Sequence, residues 1–256
     1  MTAAEKAAAF RERHGLGIAP IRELVALVGA EHRIDVWIVD MPVGVDAMTR
    51  RDPETGAHII AVATSDNPER QRFSLAHELG HIAFGDFEDD VRDLHATGSA
   101  ETRAHDFARH LLVPLDGVRK LAETMPGADA EHLTSAVVQH FGVSSQPAAF
   151  QLHAAALITA GEKTAVGQLR SATLATKYGW SAERETQMLE SNRPQPPQRI
   201  VTAATRAYAD GKLGLRVLAR IRGTEDVAAL EQELAVAGLV PAQDPVVRPV
   251  VDIDHW

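Results

Sequence analysis

The segment HELGH, residues 77–81, places two histidines four positions apart, with Glu78 directly after the first. On an α-helix, side chains four positions apart lie on one face, about 5–6 Å apart at Cβ. His77 and His81 can therefore reach a single metal ion, each at about 2.0–2.1 Å. Glu78 is rotated by about 100° from His77, which makes it a poor ligand but places it to take a proton from a water at the metal. The pattern predicts a catalytic metal site.

The same segment also fits an ordinary amphipathic helix that contains two histidines by chance. In that interpretation Phe73, Ala76, Leu79 and Ala83 are core residues and the histidines bind nothing. A five-residue motif recurs in unrelated sequences, so the two alternatives are distinguished by whether a third ligand exists.

Glu101 is the best candidate for that third ligand, because a catalytic zinc site needs one more protein ligand and an open position for water. The chain contains no cysteine, so the ligand must be a histidine or a carboxylate. Glu101 lies on the helical stripe Glu101, Ala104, Ala108, Leu111, which we expect to face inward. An inward carboxylate needs a partner, and a metal ion supplies one. The alternative is an exposed first-turn glutamate favoured by the helix dipole.

Two separated segments, RQRFSLAHELGHIAF (70–84) and ETRAHDFARHLLVP (101–114), resemble in order and spacing the ImmA/IrrE family of metallopeptidases. The resemblance covers roughly residues 15 to 120 and implies a gluzincin-like, zincin-type helical core. It also implies that His77, His81 and Glu101 bind the metal and that Glu78 is the general base. Zinc suits these ligands, with manganese as the alternative.

The chain departs from the family pattern at His105, where the family usually has Asn or Asp. In gluzincins this position often orients a ligand histidine by a hydrogen bond. His105 is expected to do this, to compete as a ligand, or to be a core histidine bonded to backbone. We expect His95 and His110 to be solvated, with either one in reach of a reaction intermediate. His95 and His105 are the candidates to stabilise its oxyanion.

The elements around the motif predict an α+β fold with a small antiparallel sheet. Asn67 is a favourable N-cap for the motif helix, Pro68 suits its first position and Gly85 its end. Val113-Pro114 ends the following helix. The other predicted elements are helices over 4–16, 20–30 and 100–112 and strands over 33–40, 43–50 and 57–65.

The remainder of the chain predicts mostly helical structure. The expected organisation is a metallopeptidase domain over 1–120, a helix-turn-helix-like subdomain over 121–191 and a C-terminal helical region over 200–256. NRPQPPQR (192–199) is the linker candidate, three short helices follow it, and the tail from Pro241 is expected to be extended. No Lys or Arg lies between Leu121 and Glu162. Because DNA affinity comes largely from basic contacts to phosphate, we expect no nucleic-acid binding there.

The whole sequence favours a cytoplasmic protein, since charges interrupt its N-terminal segment and no apolar run approaches the roughly 20 residues of a membrane span. The resemblance implies a regulatory zinc endopeptidase that cleaves an Xre-type helix-turn-helix repressor and releases stress-response or mobile-element genes. The strand over 57–65 is expected to pair with an extended substrate. The alternatives are a non-catalytic partner-binding or toxin-like protein that keeps the metal site, and a DNA-binding regulator.

Overall fold

The computed structural model describes residues 1–87 and 97–241, and none of the described helices is long and apolar enough to cross a membrane. The chain divides into two compact units, Met1–Pro194 and Gln195–Trp256. The division lies inside the proline-rich segment 192–199. Whether residue 120 also marks a domain boundary stays a prediction.

The first unit contains three strands and ten of the described helices. In chain order they are α1 (Ala3–Arg13), α2 (Leu24–Gly29), β1 (Ile34–Val39), β2 (Ala47–Arg51), β3 (His58–Ala63), α3 (Pro68–Phe84), α4 (Thr97–Leu112), α5 (Leu115–Glu123), α6 (Ala130–Phe141), α7 (Ser145–Ala154), α8 (Ala160–Val166), α9 (Ser171–Tyr178) and α10 (Ser181–Ser191). These elements confirm the predicted α+β class.

The three strands form a mixed sheet in the order β1-β3-β2. β3 runs parallel to β1, with Ile34 opposite His58, and antiparallel to β2, with Ala47 opposite Val62. The prediction of an antiparallel sheet is therefore wrong for one of the two pairings. β1 and β2 occupy the two edges, and β3 lies in the centre with a partner strand on each side. The expectation that the strand over 57–65 pairs with a substrate is wrong for the same reason.

One face of the sheet packs into the core of the first unit. The alternation of apolar residues in β1 predicts this face, and Ile34, Val36 and Ile38 are buried as expected. They belong to one buried cluster that also contains residues of β3 and of α3, namely Ile60, Val62, Leu75 and Leu79. The sheet therefore supports the helix that carries the HELGH segment.

Gly80 allows α3 and α4 to approach closely. A Cβ at this position would lie 3.1 Å from the Cα and carbonyl oxygen of Ala104 and 3.2 Å from a ring carbon of Phe107. The space beside Gly80 is thus occupied by α4 itself. This close packing brings Glu101, one turn before Ala104, towards the two histidines of α3.

The second unit contains α11 (Gln198–Ala209), α12 (Leu215–Arg222) and α13 (Val227–Val236), the three short helices that the sequence predicts. They surround a small separate core made of Ala204, Tyr208, Leu218, Ala219, Leu230 and Leu234. The tail predicted to be extended lies almost entirely outside the described residues.

Candidate metal site

Helix α3 positions His77, Glu78 and His81, and its ends follow from local sequence. The side chain of Asn67 accepts a hydrogen bond from the backbone N–H of Arg70, and Pro68 occupies the first helical position. Gly85 ends the helix in the left-handed conformation, at φ +76°. The predicted limits of this helix agree with the structure.

The side chains of His77, His81 and Glu101 converge, with one ligand atom from each within 4.8 Å of the others. The Nε2 atoms of the two histidines are 3.0 Å apart. The Glu101 carboxylate lies 3.1 Å from Nε2 of His77 and 3.3 Å from Nε2 of His81. Ligands bound tetrahedrally to one zinc ion at about 2.0–2.1 Å are separated by about 3.3 Å. The three groups therefore fit a zinc-sized cation.

The electrostatics of His77 favour metal binding, because its pKa is lowered to about 4, mainly by burial and also by the neighbouring His105 and His81. At neutral pH its imidazole is uncharged, which is the form that coordinates a metal.

Glu101 lies at the solvent end of the predicted stripe. Ala104, Ala108 and Leu111 are fully buried, whereas the Glu101 side chain is 53% exposed. The expectation that it faces inward with the rest of the stripe is therefore only partly correct. The two histidine side chains are 13% and 11% exposed. The ligand group is thus accessible from the side of Glu101, as a site that admits water and substrate requires.

Glu78 lies beside the ligands without joining them. Its Oε2 accepts a hydrogen bond of 2.7 Å from the hydroxyl of Thr49 on β2. Burial raises the pKa of Glu78, although the Thr49 hydrogen bond opposes the shift. Its assignment as general base stays a prediction. Sequence reasoning missed Thr49, because nothing in the sequence of β2 indicates which helix residue it contacts.

His105 packs against the site but is outside the converging ligand group. Its ring centroid is 4.4 Å from that of His77, and its Nδ1 is 3.0 Å from the backbone oxygen of Glu101. Nδ1 of His77 is buried and has no hydrogen-bond partner among the described residues. His105 therefore does not orient His77 by a hydrogen bond in this structure.

The remaining candidate histidines are separate from this arrangement. His95 lies outside the described residues. His110 is half-buried rather than solvated, and burial lowers its pKa.

Asp86 contacts the site from the end of α3, with its Oδ2 2.8 Å from Nδ1 of His81. The sequence analysis did not identify this residue. A signal was available, since Asp86 follows the helix-ending glycine and lies five residues after a ligand histidine.

Comparisons with known proteins agree with the resemblance noted in the sequence. Residues 31–153 match the family Peptidase_M78, described as the IrrE N-terminal-like domain. A solved structure named "Mycobacterium tuberculosis transcriptional regulator" is similar over 59% of this chain and 46% of that chain, at 22% identity and a TM-score of 0.44. A likeness at this level carries no conclusion about function. No curated protein matches the chain significantly.

The matched region contains all three strands, α3 and α4, and thus every residue of the ligand group. This part of the chain is therefore similar to an IrrE N-terminal-like domain, and the similarity covers the candidate metal site.

Proposed function

We propose that this chain is a zinc-dependent endopeptidase of regulatory type. The observation that carries the proposal is the convergence of His77, His81 and Glu101 beside the half-buried Glu78. Two imidazoles and one carboxylate match the ligand set of a catalytic zinc site with an open position. Zinc is the proposed metal, and manganese is the alternative. When bound, the ion supplies Lewis-acid polarisation of a carbonyl and lowers the pKa of water towards about 7.

Glu78 acts as the general base in this proposal. Its carboxylate takes a proton from the attacking water and later delivers it to the leaving amine. The hydroxyl of Thr49 donates to Oε2 and fixes the orientation of the carboxylate. His105 and His95 remain the proposed contacts to the oxyanion that develops on the attacked carbonyl.

The edge strand β2 offers a surface for an extended peptide. Ala63 donates its N–H to the Asp46 carbonyl and Asp52 donates to the Ala57 carbonyl, so these residues form hydrogen-bonded pairs across the β2–β3 ladder. Because such pairs alternate along an antiparallel ladder, the backbone groups of Ala47, Thr49 and Arg51 point away from β3.

A substrate paired to that edge would pass directly beside Glu78, since Thr49 contacts it. This arrangement supports a protein substrate. From the family resemblance we propose an Xre-type repressor, whose cleavage releases stress-response or mobile-element genes.

The proposal is tested by co-expressing the chain with candidate Xre-type repressors and following each repressor on a gel. Glu78→Gln keeps size and hydrogen bonding but removes the base, so cleavage should fall by about 10²–10⁴-fold. Metal content and folding should stay unchanged. Glu123→Gln, a change of an exposed glutamate on α5, is the matched control and should cleave like the parent.

If Glu78→Gln cleaves as fast as the parent, Glu78 is not the base. If neither form cleaves a repressor that both bind tightly, the chain is a non-catalytic binding protein that keeps the metal site.

A further inference from the structure

The end of α3 folds back over His81. Gly85 has a left-handed backbone and donates its N–H to the Ile82 carbonyl over 3.0 Å. The next residue, Asp86, donates its N–H to the carbonyl of His81 over 3.1 Å. This pair of hydrogen bonds is a Schellman motif, which requires a residue that tolerates positive φ at the glycine position. The motif places the Asp86 side chain over the turn that contains His81.

The Asp86 carboxylate determines which ring nitrogen of His81 can bind a cation. Its Oδ2 is 2.8 Å from Nδ1 of His81. An ionised carboxylate only accepts hydrogen bonds, so Nδ1 carries the ring proton and Nε2 presents its lone pair. Nε2 is the atom that faces His77 and Glu101.

Arg103 holds the other oxygen of the same carboxylate, since its guanidinium pairs with Oδ1 of Asp86. The Asp86 side chain is 12% exposed, so this pairing offsets part of the cost of burying its charge. The guanidinium also lies 5.1 Å from the ring centroid of Phe84, the last residue of α3. Because Arg103 is two residues after Glu101 on α4, this ion pair connects α4 to the segment that directly follows α3.

We propose that Asp86 and Arg103 are positioning residues of the metal site. Asp86 fixes the ring orientation and tautomer of His81, and Arg103 acts through Asp86. The inference rests on the metal site of the proposed function. His77 has no comparable support among the described residues, because its Nδ1 is buried without a hydrogen-bond partner. The orientation of the two-histidine pair therefore depends mainly on Asp86.

The proposal is tested by zinc affinity, measured in competition with a chromophoric chelator, and by the absorption spectrum of the cobalt-loaded protein. Removing the partner of a ligand histidine typically costs 10–100-fold in metal affinity. Asp86→Asn should therefore weaken zinc binding by about 10–100-fold and change the cobalt spectrum. The thermal midpoint of the metal-free protein should change little.

Asp106→Asn is the matched control, because Asp106 pairs with Arg109 on the same helix, is also partly exposed and touches none of the three ligands. It should bind zinc like the parent. An Asp86→Asn protein that binds zinc like this control would overturn the proposal. A lowered thermal midpoint with an unchanged cobalt spectrum would also overturn it, since that result indicates a purely structural role.

Arg103→Gln tests the second half of the proposal and remains informative if Asp86→Asn does not fold. It should weaken zinc binding, and Arg103→Lys should recover part of the loss. In the double variant the losses should not multiply, because both residues act on one ring. Losses that multiply would show that Arg103 does not act through Asp86. If the parent protein binds neither zinc nor cobalt, the proposed function fails; if the parent binds and Asp86→Asn binds equally well, only this inference fails.

Discussion

The two halves of helix α3 differ in how their polar side chains are satisfied. In the first half, Glu69 forms an ion pair with Arg184 of α10, with Nε and Oε1 3.0 Å apart. Gln71 donates to the carbonyls of Ala63 and Ser191 over 2.8 and 2.7 Å. These contacts anchor the helix to the sheet and to α10.

Arg72, also in the first half, donates to three backbone carbonyls, those of Ile21, Arg22 and Gly142. Burial lowers the pKa of Arg72 to about 10, so the side chain is still charged at neutral pH. Backbone carbonyls thus satisfy this cation, and none of the three contacts is to a carboxylate.

In the second half, His77 and His81 direct their Nε2 atoms at each other and at one carboxylate. This arrangement brings two ring nitrogens and a carboxylate within reach of one cation. The first half of α3 therefore holds the helix in place, whereas the second half contributes two of the three side chains that could hold a metal ion.

The largest effect should come from His77→Ala, which removes a ligand from the second half. Metal content should fall from about one ion per chain to essentially none, because two remaining ligands rarely hold zinc. Elemental analysis after dialysis measures this. The unfolding free energy of the metal-free protein should fall by about 0.5–3 kcal/mol, the usual range for a single substitution, since this side chain is only 13% exposed.

The control for this change is His105→Ala, which alters the neighbouring imidazole on α4. It should retain the ion. Loss of metal in His105→Ala and retention in His77→Ala would reverse the ligand assignment.

In the first half of α3, a substitution should lower the unfolding free energy and leave metal binding unchanged. Glu69→Ala leaves the Arg184 guanidinium, 14% exposed, without its carboxylate. Breaking a buried pair from one side typically costs about 3–5 kcal/mol, and urea unfolding of the metal-free protein should show a loss of that order. Metal stoichiometry of the folded fraction should be unchanged.

Glu131→Ala removes a more exposed pair with Lys177 and should cost less than about 1 kcal/mol. If Glu69→Ala proves no more damaging than Glu131→Ala, the first half of α3 does not anchor the helix in the way its contacts indicate.

A smaller effect on zinc affinity is expected from Gly80→Ala, because Gly80 allows α3 and α4 to pack closely. In Gly80→Ala the new Cβ would lie 3.1 Å from the Ala104 backbone, so α4 must shift by a few tenths of an ångström. Glu101 moves with it, and zinc affinity should fall several-fold, up to about tenfold.

Gly98→Ala on α4 is the comparison for this variant, since a Cβ there meets nothing within 4 Å. It should bind zinc like the parent. Normal zinc binding by Gly80→Ala would show that helix spacing does not determine the geometry of the site.

Local sequence determined the helix that carries the chemistry. Asn67, Pro68 and Gly85 act through hydrogen bonds and backbone angles within one turn of the helix ends, so the limits of α3 were predictable. The spacing of His77 and His81 follows from the helical period alone.

The alternation in β1 likewise predicted the burial of Ile34, Val36 and Ile38, because successive strand side chains point to opposite faces. Asp35, on the other face, is buried as well, which the alternation does not predict.

The helix predicted over 20–30 is shorter in the structure, where α2 extends only from Leu24 to Gly29. Local sequence did not predict the later start. The carbonyls of Ile21 and Arg22 accept hydrogen bonds from Arg72, some fifty residues away. A distant guanidinium thus binds the carbonyls that an earlier helix start would have used within the helix.

Tertiary structure alone decided the pairing of β1 with β3, the exposure of Glu101 and the contacts of Thr49 and Asp86 with the site. The alternation of apolar residues in a strand does not depend on which strand it pairs with or on the direction of that partner. The mixed sheet could therefore not be predicted from the alternation. Thr49 reaches Glu78 because the folded sheet places β2 beside α3. Glu101 reaches the histidines only because Gly80 lets α4 approach. The types and spacing of the two candidate histidine ligands thus follow from the sequence of one helix. Which other groups meet them depends on packing between distant segments, because such contacts involve several elements at once.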